Sequence, residues 1–314
     1  MQVVKPPLPN TLQITDSMII EGDVRLALSR LPSECVQCVV SSPPYWGLRD
    51  YGIPGQIGLE ATMSAFIQSL TCIFADVKRV LKSDGVLWLN IGDGYTSGNR
   101  GWRAPDKKNP NRAMSLRPDN PPGLKDKDLI GIPWRLAFAL QENGWFLRTD
   151  IVWHKPNAMP ESVKDRPNRA HEYIFMFTKS EQYTYHRELV KERAEDGTMR
   201  NRRTVWSINT SGSGSSHIAA FPEALVAPCI LASTQTGEFV LDPFFGSGTV
   251  GIVARQLGRH YLGIELNPAY VEEAKRALEK PVSIQRHSSR QYVDSLHESV
   301  PTLLETPSNR SVGS

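Results

Sequence analysis

Two stretches of the chain carry residues whose types and spacing suit chemistry. In the first, Val39-Val40-Ser41-Ser42-Pro43-Pro44-Tyr45-Trp46, an apolar run stops at a serine, two prolines and two aromatics. The β-branched Val39 and Val40 suit a central strand. Pro43 and Pro44 cannot donate to a sheet ladder, and each biases the residue before it toward extended backbone. The strand therefore ends at Ser41 or Ser42, and a stiff loop projects from its carboxyl end, where open parallel sheets bind ligands. One hydroxyl, several fixed carbonyls and two aromatic faces on a rigid loop suit a flat ring that bears an amine. In the second stretch, Phe239 to Leu241 reads as a short strand. It runs into Asp242-Pro243-Phe244-Phe245 and the loop Gly246-Ser247-Gly248-Thr249.

An apolar helix follows that loop, then Gly258, then the strand Tyr261-Leu262-Gly263-Ile264 ending in the carboxylate of Glu265; beyond Asn267, Pro268 opens another helix. Glycines let a ligand approach the backbone closely. Glu265 lies about twenty residues past Asp242, the offset at which an acid meets a ribose hydroxyl in a βαβ nucleotide site. The chain has neither G-x-G-x-x-G nor Gly-Lys-Ser/Thr here, which argues against a nicotinamide or triphosphate ligand. The G-x-S-x-G spacing of a hydrolase elbow is missing as well. An acid at the loop entrance suits a cation better than a pyrophosphate, and S-adenosylmethionine carries both an α-ammonium and a sulfonium.

Ser42-Pro43-Pro44-Tyr45 resembles the catalytic tetrapeptide of DNA amino-methyltransferases, and Asp242-Pro243-Phe244-Phe245-Gly246-Ser247-Gly248-Thr249 resembles their cofactor motif. Glu21-Gly22-Asp23 is similar to the family's segment whose acid reads the cofactor adenine. His217-Ile218-Ala219-Ala220-Phe221-Pro222 is similar to the segment beside the methionine moiety. Trp153-x-Lys155-x-Asn157 and Arg169-Ala170-His171-Glu172-Tyr173 resemble pieces of its catalytic face. The order, catalytic tetrapeptide first and cofactor loop late, matches the permuted β group. The resemblance covers residues 18 to 280 and implies a Rossmann-like α/β fold, a mostly parallel sheet with helices on both faces. It implies S-adenosylmethionine as cofactor and duplex DNA as substrate. Ser-Pro-Pro-Tyr goes with cytosine N4 in that family, and adenine N6 is the alternative. RNA or protein methylation and a non-catalytic DNA-binding module are the remaining readings.

The elements that must hold these loops are legible in outline. Met18 to Asp23 reads as a short strand and a Gly-Asp turn, Val24 to Leu31 as a helix. Residues 62 to 82 place Met63, Phe66, Ile67, Leu70, Ile73, Phe74, Val77, Val80 and Leu81 at helical spacing. The nearly all-apolar Val86 to Ile91 is a strand, and this β-helix-β order indicates a parallel sheet buried on both faces. Further elements are a helix at Pro133 to Glu142, strands at Phe146 to His154 and Glu172 to Thr178, and a helix at Pro222 to Leu231. Residues 1–17 read as a flexible arm, 18–281 as the catalytic domain and 282–314 as a flexible tail. Within the domain, 18–180 is the catalytic half and 215–281 the cofactor half.

The chain has 314 residues and a net charge of only +3, so nucleic-acid binding must rest on local clusters. Residues 94–127 hold Arg100, Arg103, Lys107, Lys108, Arg112, Arg117, Lys125 and Lys127 against three aspartates, among glycine, proline and asparagine. Arg200, Arg202 and Arg203 form a second basic run inside 181–214, where the resemblance implies target recognition. Arginine and lysine in such loops suit phosphate and groove contacts. Cys35-x-x-Cys38 has redox or zinc-half-site spacing. With no second pair and no histidine at ligand spacing, it reads as free thiols, and neither a metal nor a disulfide is expected. No apolar run is long enough to span a bilayer. The expected setting is the cytoplasm of a prokaryote or its phage. A monomer or weak homodimer is expected there, working alongside a cognate restriction endonuclease.

Overall fold

The computed structural model describes residues 2–96, 118–210 and 221–281. Arg100, Arg103, Lys107, Lys108 and Arg112, His217 and the 282–314 tail lie outside them. In chain order the elements are β1 (Gln2–Val4), β2 (Met18–Glu21), α1 (Val24–Arg30), β3 (Val36–Ser41), α2 (Met63–Val80), β4 (Leu81–Ile91) and α3 (Ile132–Glu142). Then come β5 (Phe146–His154), β6 (His171–Thr178), the two-residue strands β7 (Glu192–Arg193) and β8 (Met199–Arg200), and β9 (Val205–Ser207). The chain continues with α4 (Glu223–Ser233), β10 (Phe239–Asp242), α5 (Thr249–Gln256), β11 (His260–Glu265) and α6 (Pro268–Glu279).

Nine strands form one sheet in the order β1-β2-β11-β10-β3-β4-β6-β5-β9. Every neighbouring pair is parallel except β4–β6 and β6–β5, so β6 alone runs backward. From β3 the chain works outward through β4, and from β10 it works outward the other way through β11. The topological switch point therefore lies between β3 and β10, where such sheets bind ligands at their carboxyl ends.

Strand side chains alternate between two cores. Val39, Leu87, Leu89, Leu241 and Leu262 join the helices α1 to α3, with Phe66, Phe74 and Val77 of α2 fully buried there. Cys38, Val40, Val86, Trp88, Val240 and Tyr261 face α4 to α6, against Val226, Ile230, Val253 and Val271. Burial on both faces is why β3 and the Val86–Ile91 part of β4 are largely apolar. The stripe on α2 falls where its spacing predicts, and Thr62 starts that helix by accepting the Ala65 N–H at 3.1 Å.

Two segments differ from the sequence expectation. Residues 2–4 are not a free arm: they pair in parallel with β2, and Leu12 is buried in the first core. Residues 181–210 are not all surface: Val190, Trp206 and Ile208 are buried in the second core, and β9 extends the sheet beside β5. Isolated apolar residues in a polar stretch carry no periodic signal, and only the sheet edge reveals what they cover. No helix among the described residues is long and apolar enough to cross a membrane.

Candidate active site

Pro43 and Pro44 end β3 as the sequence requires, and β10 ends beside it with Leu241 opposite Val39. This register brings the two chemical stretches together. The Ser41 hydroxyl donates to Asp242 Oδ1 at 2.7 Å, and both residues are buried. The Phe244 N–H donates to the same oxygen at 3.0 Å. Among the described residues no hydrogen bond reaches Oδ2. Burial pushes the Asp242 carboxyl up to about 7 against these two stabilising hydrogen bonds, and the negative Glu265 adds to the rise.

The glycine loop turns as its composition requires, with Gly246 and Gly248 at φ of +52° and +87°. Phe245 fastens it to the sheet. Its N–H donates to the Ile264 carbonyl at 2.9 Å, and its ring fills the space over Gly263, where a Cβ would meet ring carbons at 2.3 to 2.5 Å. Pro243 is buried, while Phe244, Ser247 and Thr249 are half-buried along the loop and the start of α5. Glu265, at the end of β11, accepts the Gly246 N–H at 2.8 Å and the Asn267 N–H at 2.7 Å, one on each oxygen. Each oxygen keeps a second lone pair for a ligand hydroxyl. Burial raises the Glu265 carboxyl above its usual range. Asn267 also caps α6 through the Ala269 N–H at 2.9 Å.

Asp23 sits at the adjoining strand end, next to Gly22, whose N–H donates to the Glu265 carbonyl at 2.8 Å. Its carboxylate caps α1 through the Arg25 N–H at 2.8 Å and grips the Arg25 guanidinium. The hydrogen bond to that side chain holds it below the usual range. Phe221 is buried in the second core with Val226 and Ile230.

On the catalytic side, Tyr45 meets Glu172, whose segment resembles the family's catalytic face, and Gly92 and Asn90, which the sequence did not single out. Its hydroxyl donates to Glu172 Oε2 at 2.8 Å, and its ring lies against Gly92. Asn90 Nδ2 donates to the same Glu172 oxygen at 3.2 Å and to the Tyr173 carbonyl at 3.1 Å. Lys155 pairs with the other Glu172 oxygen and lies 4.2 Å from the Trp153 ring centroid. Burial, and then the Glu172 charge, keep the Tyr45 phenol well above its usual range, so it remains a neutral donor that also meets the Ser42 side chain. Asn90 was the detectable signal: a lone amide inside an apolar strand. Trp46 is anchored by its indole N–H on the Glu60 carbonyl at 2.8 Å.

Of the basic candidates described, Arg200 pairs with Glu192 at 2.8 Å across the β7–β8 hairpin, and Arg202 lies over Trp206 at 4.5 Å. Arg203 is the one with an exposed side chain. Cys38 and Cys229 are buried thiols and Cys35 is half-buried.

A rigid Pro-Pro loop and an acid-flanked glycine loop, side by side at the switch point of a mostly parallel sheet, define a Rossmann-like α/β methyltransferase fold. The DNA methylase family of N6 and N4 amino-methylating enzymes matches residues 36–276, and the chain belongs to that family. It is 64% identical over 268 residues to the type II methyltransferase M.Cfr9I of Citrobacter freundii, spanning 85% of this chain and 89% of that protein. The PvuII DNA methyltransferase, cytosine-N4-specific, aligns with a TM-score of 0.64 at 20% identity over 91% of this chain and 93% of its own. TTHA0409 of Thermus thermophilus, in complex with S-adenosyl-L-methionine, aligns at 0.58 and 26% identity over 84% and 95%.

Proposed function

We propose that this chain is a site-specific DNA methyltransferase of the permuted Ser-Pro-Pro-Tyr group. It transfers a methyl group from S-adenosylmethionine to the exocyclic N4 of a cytosine flipped out of duplex DNA. The observation that carries this reading is the Ser41–Asp242 hydrogen bond, which places the Ser42-Pro43-Pro44-Tyr45 loop directly beside the cofactor loop. The type II methyltransferase relative supports DNA as the substrate. The chain order, Ser42 before Asp242, supports the permuted assignment.

The cofactor site fits S-adenosylmethionine. Among the described residues no hydrogen bond takes up the second Asp242 oxygen, which leaves it for an ammonium; Glu265 keeps lone pairs for ribose hydroxyls, and the glycines leave room for close approach. Asp23 stands at the adjoining strand end for the adenine. His217 and Phe221 are assigned to the methionine side. The bound cofactor supplies an electrophilic methyl carbon. Ser42 and the Pro43 carbonyl accept hydrogen bonds from the exocyclic amine, which localises a lone pair otherwise delocalised into the ring. Catalysis then rests on positioning and electrostatics, and no covalent enzyme intermediate is needed. The target base must leave the stack to bring its exocyclic amine to this loop. Tyr45, held at its hydroxyl by Glu172, offers a ring face for that base. The serine, shorter than the aspartate or asparagine found at this position in adenine enzymes, is what favours cytosine.

Arg203 and the basic 94–127 segment are assigned to DNA contact. The partners are duplex DNA and, as in type II systems, a restriction endonuclease of the same specificity, in the cytoplasm. The test is mass spectrometry of nucleosides from duplex DNA of varied sequence incubated with cofactor and either the protein or Ser42→Ala. N4-methylcytosine that disappears in the variant is expected. N6-methyladenine would overturn the cytosine assignment but keep the mechanism. Cofactor binding with neither product would overturn DNA as the substrate.

A further inference from the structure

Ser41 belongs to neither chemical motif, yet it is the residue through which the two motifs touch. It is the last residue of β3, fully buried, and its hydroxyl has one acidic partner, Asp242 Oδ1 at 2.7 Å. A strand interior buried on both faces gains more from an apolar side chain than from a hydroxyl. A buried hydroxyl is retained where it satisfies another polar group. Asp242 is such a group: a carboxylate buried at the end of β10, with no cation beside it among the described residues. The charged group acting on it is Glu265 of β11, which repels it. Its remaining hydrogen bond comes from the Phe244 N–H within its own loop, again on Oδ1.

We propose that Ser41 is a positioning residue that holds Asp242 by one oxygen, leaves the other for the α-ammonium of the cofactor, and thereby ties cofactor occupancy to the placement of the Ser42 loop. This rests on the methyltransferase reading above. Both bonds hold the carboxylate by Oδ1, and the next residue after Ser41 is Ser42, the serine proposed to bind the target amine. A ligand that draws on Asp242 therefore acts on the base-binding loop through a single hydrogen bond. Binding a cation requires the ionised carboxylate, so the proton held near neutral pH must leave Asp242 when the cofactor binds. Removing the Ser41 hydroxyl removes a bond to the charged form and makes that ionisation harder.

The test is titration calorimetry of S-adenosylmethionine into the full-length protein, Ser41→Ala and Ser41→Thr, between about pH 5.5 and 7.5. That range stays below the ordinary deprotonation of an α-amino group. Running two buffers of different ionisation enthalpy reads the protons released. Wild-type affinity should strengthen by up to about tenfold per pH unit and level off near pH 7, with proton release fading in step. Ser41→Ala should bind about tenfold more weakly at pH 7 and still be strengthening at pH 7.5, while Ser41→Thr, which keeps a hydroxyl, restores the wild-type curve. Unchanged affinity and pH profile in Ser41→Ala would overturn the role of Ser41 while leaving the cofactor assignment intact. A wild-type protein that binds no cofactor at any pH would overturn the assignment and this role with it.

Discussion

Replacing Gly92 by alanine adds a methyl group, and the structure places its carbon too close to the Tyr45 ring. A Cβ built at Gly92 lies 2.5 Å from Tyr45 Cε2 and 3.1 Å from Cδ2 and Cζ. Carbon atoms rest at about 3.5–4.0 Å, so the ring must retreat by about 1 Å. Gly92 is not in the left-handed region, and alanine suits its backbone, so the substitution acts through this contact alone. The retreat stretches the 2.8 Å bond from Tyr45 to Glu172 beyond useful length, forfeiting an interaction with a charged group worth about 1.5–3 kcal/mol. It also displaces the aromatic face proposed to receive the base, and an error of about 1 Å in a positioned group costs on the order of 100-fold in rate. Gly92→Ala should therefore lower kcat/KM for methyl incorporation into duplex DNA by about 100-fold. The overpacking itself costs only about 1–3 kcal/mol of stability, so the protein stays folded with cofactor affinity retained. Tyr45→Ala supplies the control: with the ring gone the new methyl group has room, and adding Gly92→Ala to it should change nothing further. Wild-type rates in Gly92→Ala, or penalties that simply multiply in the double variant, would refute the placement of Tyr45 on Gly92.

The raised Asp242 carboxyl also predicts how the cofactor-free protein responds to pH. Its folded-state value of about 7 stands above the ordinary value of about 4. Between about pH 4 and 7 the folded protein holds a proton that the unfolded chain has released. The contribution of this group to stability is thus present at low pH, falls as pH rises through that window and levels off above it. Thermal denaturation across pH should show that slope in the wild type and lose it in Asp242→Asn; equal slopes would count against the buried, protonated carboxyl. Phe245→Ala should cost about 3–5 kcal/mol, because the ring is buried over Gly263 and stacked on Tyr261 at a centroid distance of 5.9 Å. A urea midpoint that does not move would show that Phe245 is not what fastens the glycine loop to the sheet.

The helix over residues 63–80, the strand stop at Pro43 and the turn at Gly246 to Gly248 are all written within a few consecutive residues. Side-chain periodicity, the missing N–H of proline and the backbone freedom of glycine are local properties, and each could be read without knowing what lay nearby. On that basis the sequence determined where the two chemical loops begin and which kind of sheet carries them. The partners of those loops are another matter. Glu172 reaches Tyr45 across 127 positions, and Asp242 reaches Ser41 across 201. Glu172 arrives because β6 runs backward between β4 and β5, an arrangement that no local pattern dictates. The same holds for Arg200 and Arg202, whose charges suggest DNA but whose side chains are taken up by Glu192 and Trp206. It holds too for residues 2–4, whose pairing with β2 depends on a free strand edge left by the rest of the sheet. Strand order and register decide which distant side chains meet, and these are set by burial summed over the whole sheet, so only the tertiary structure could supply them.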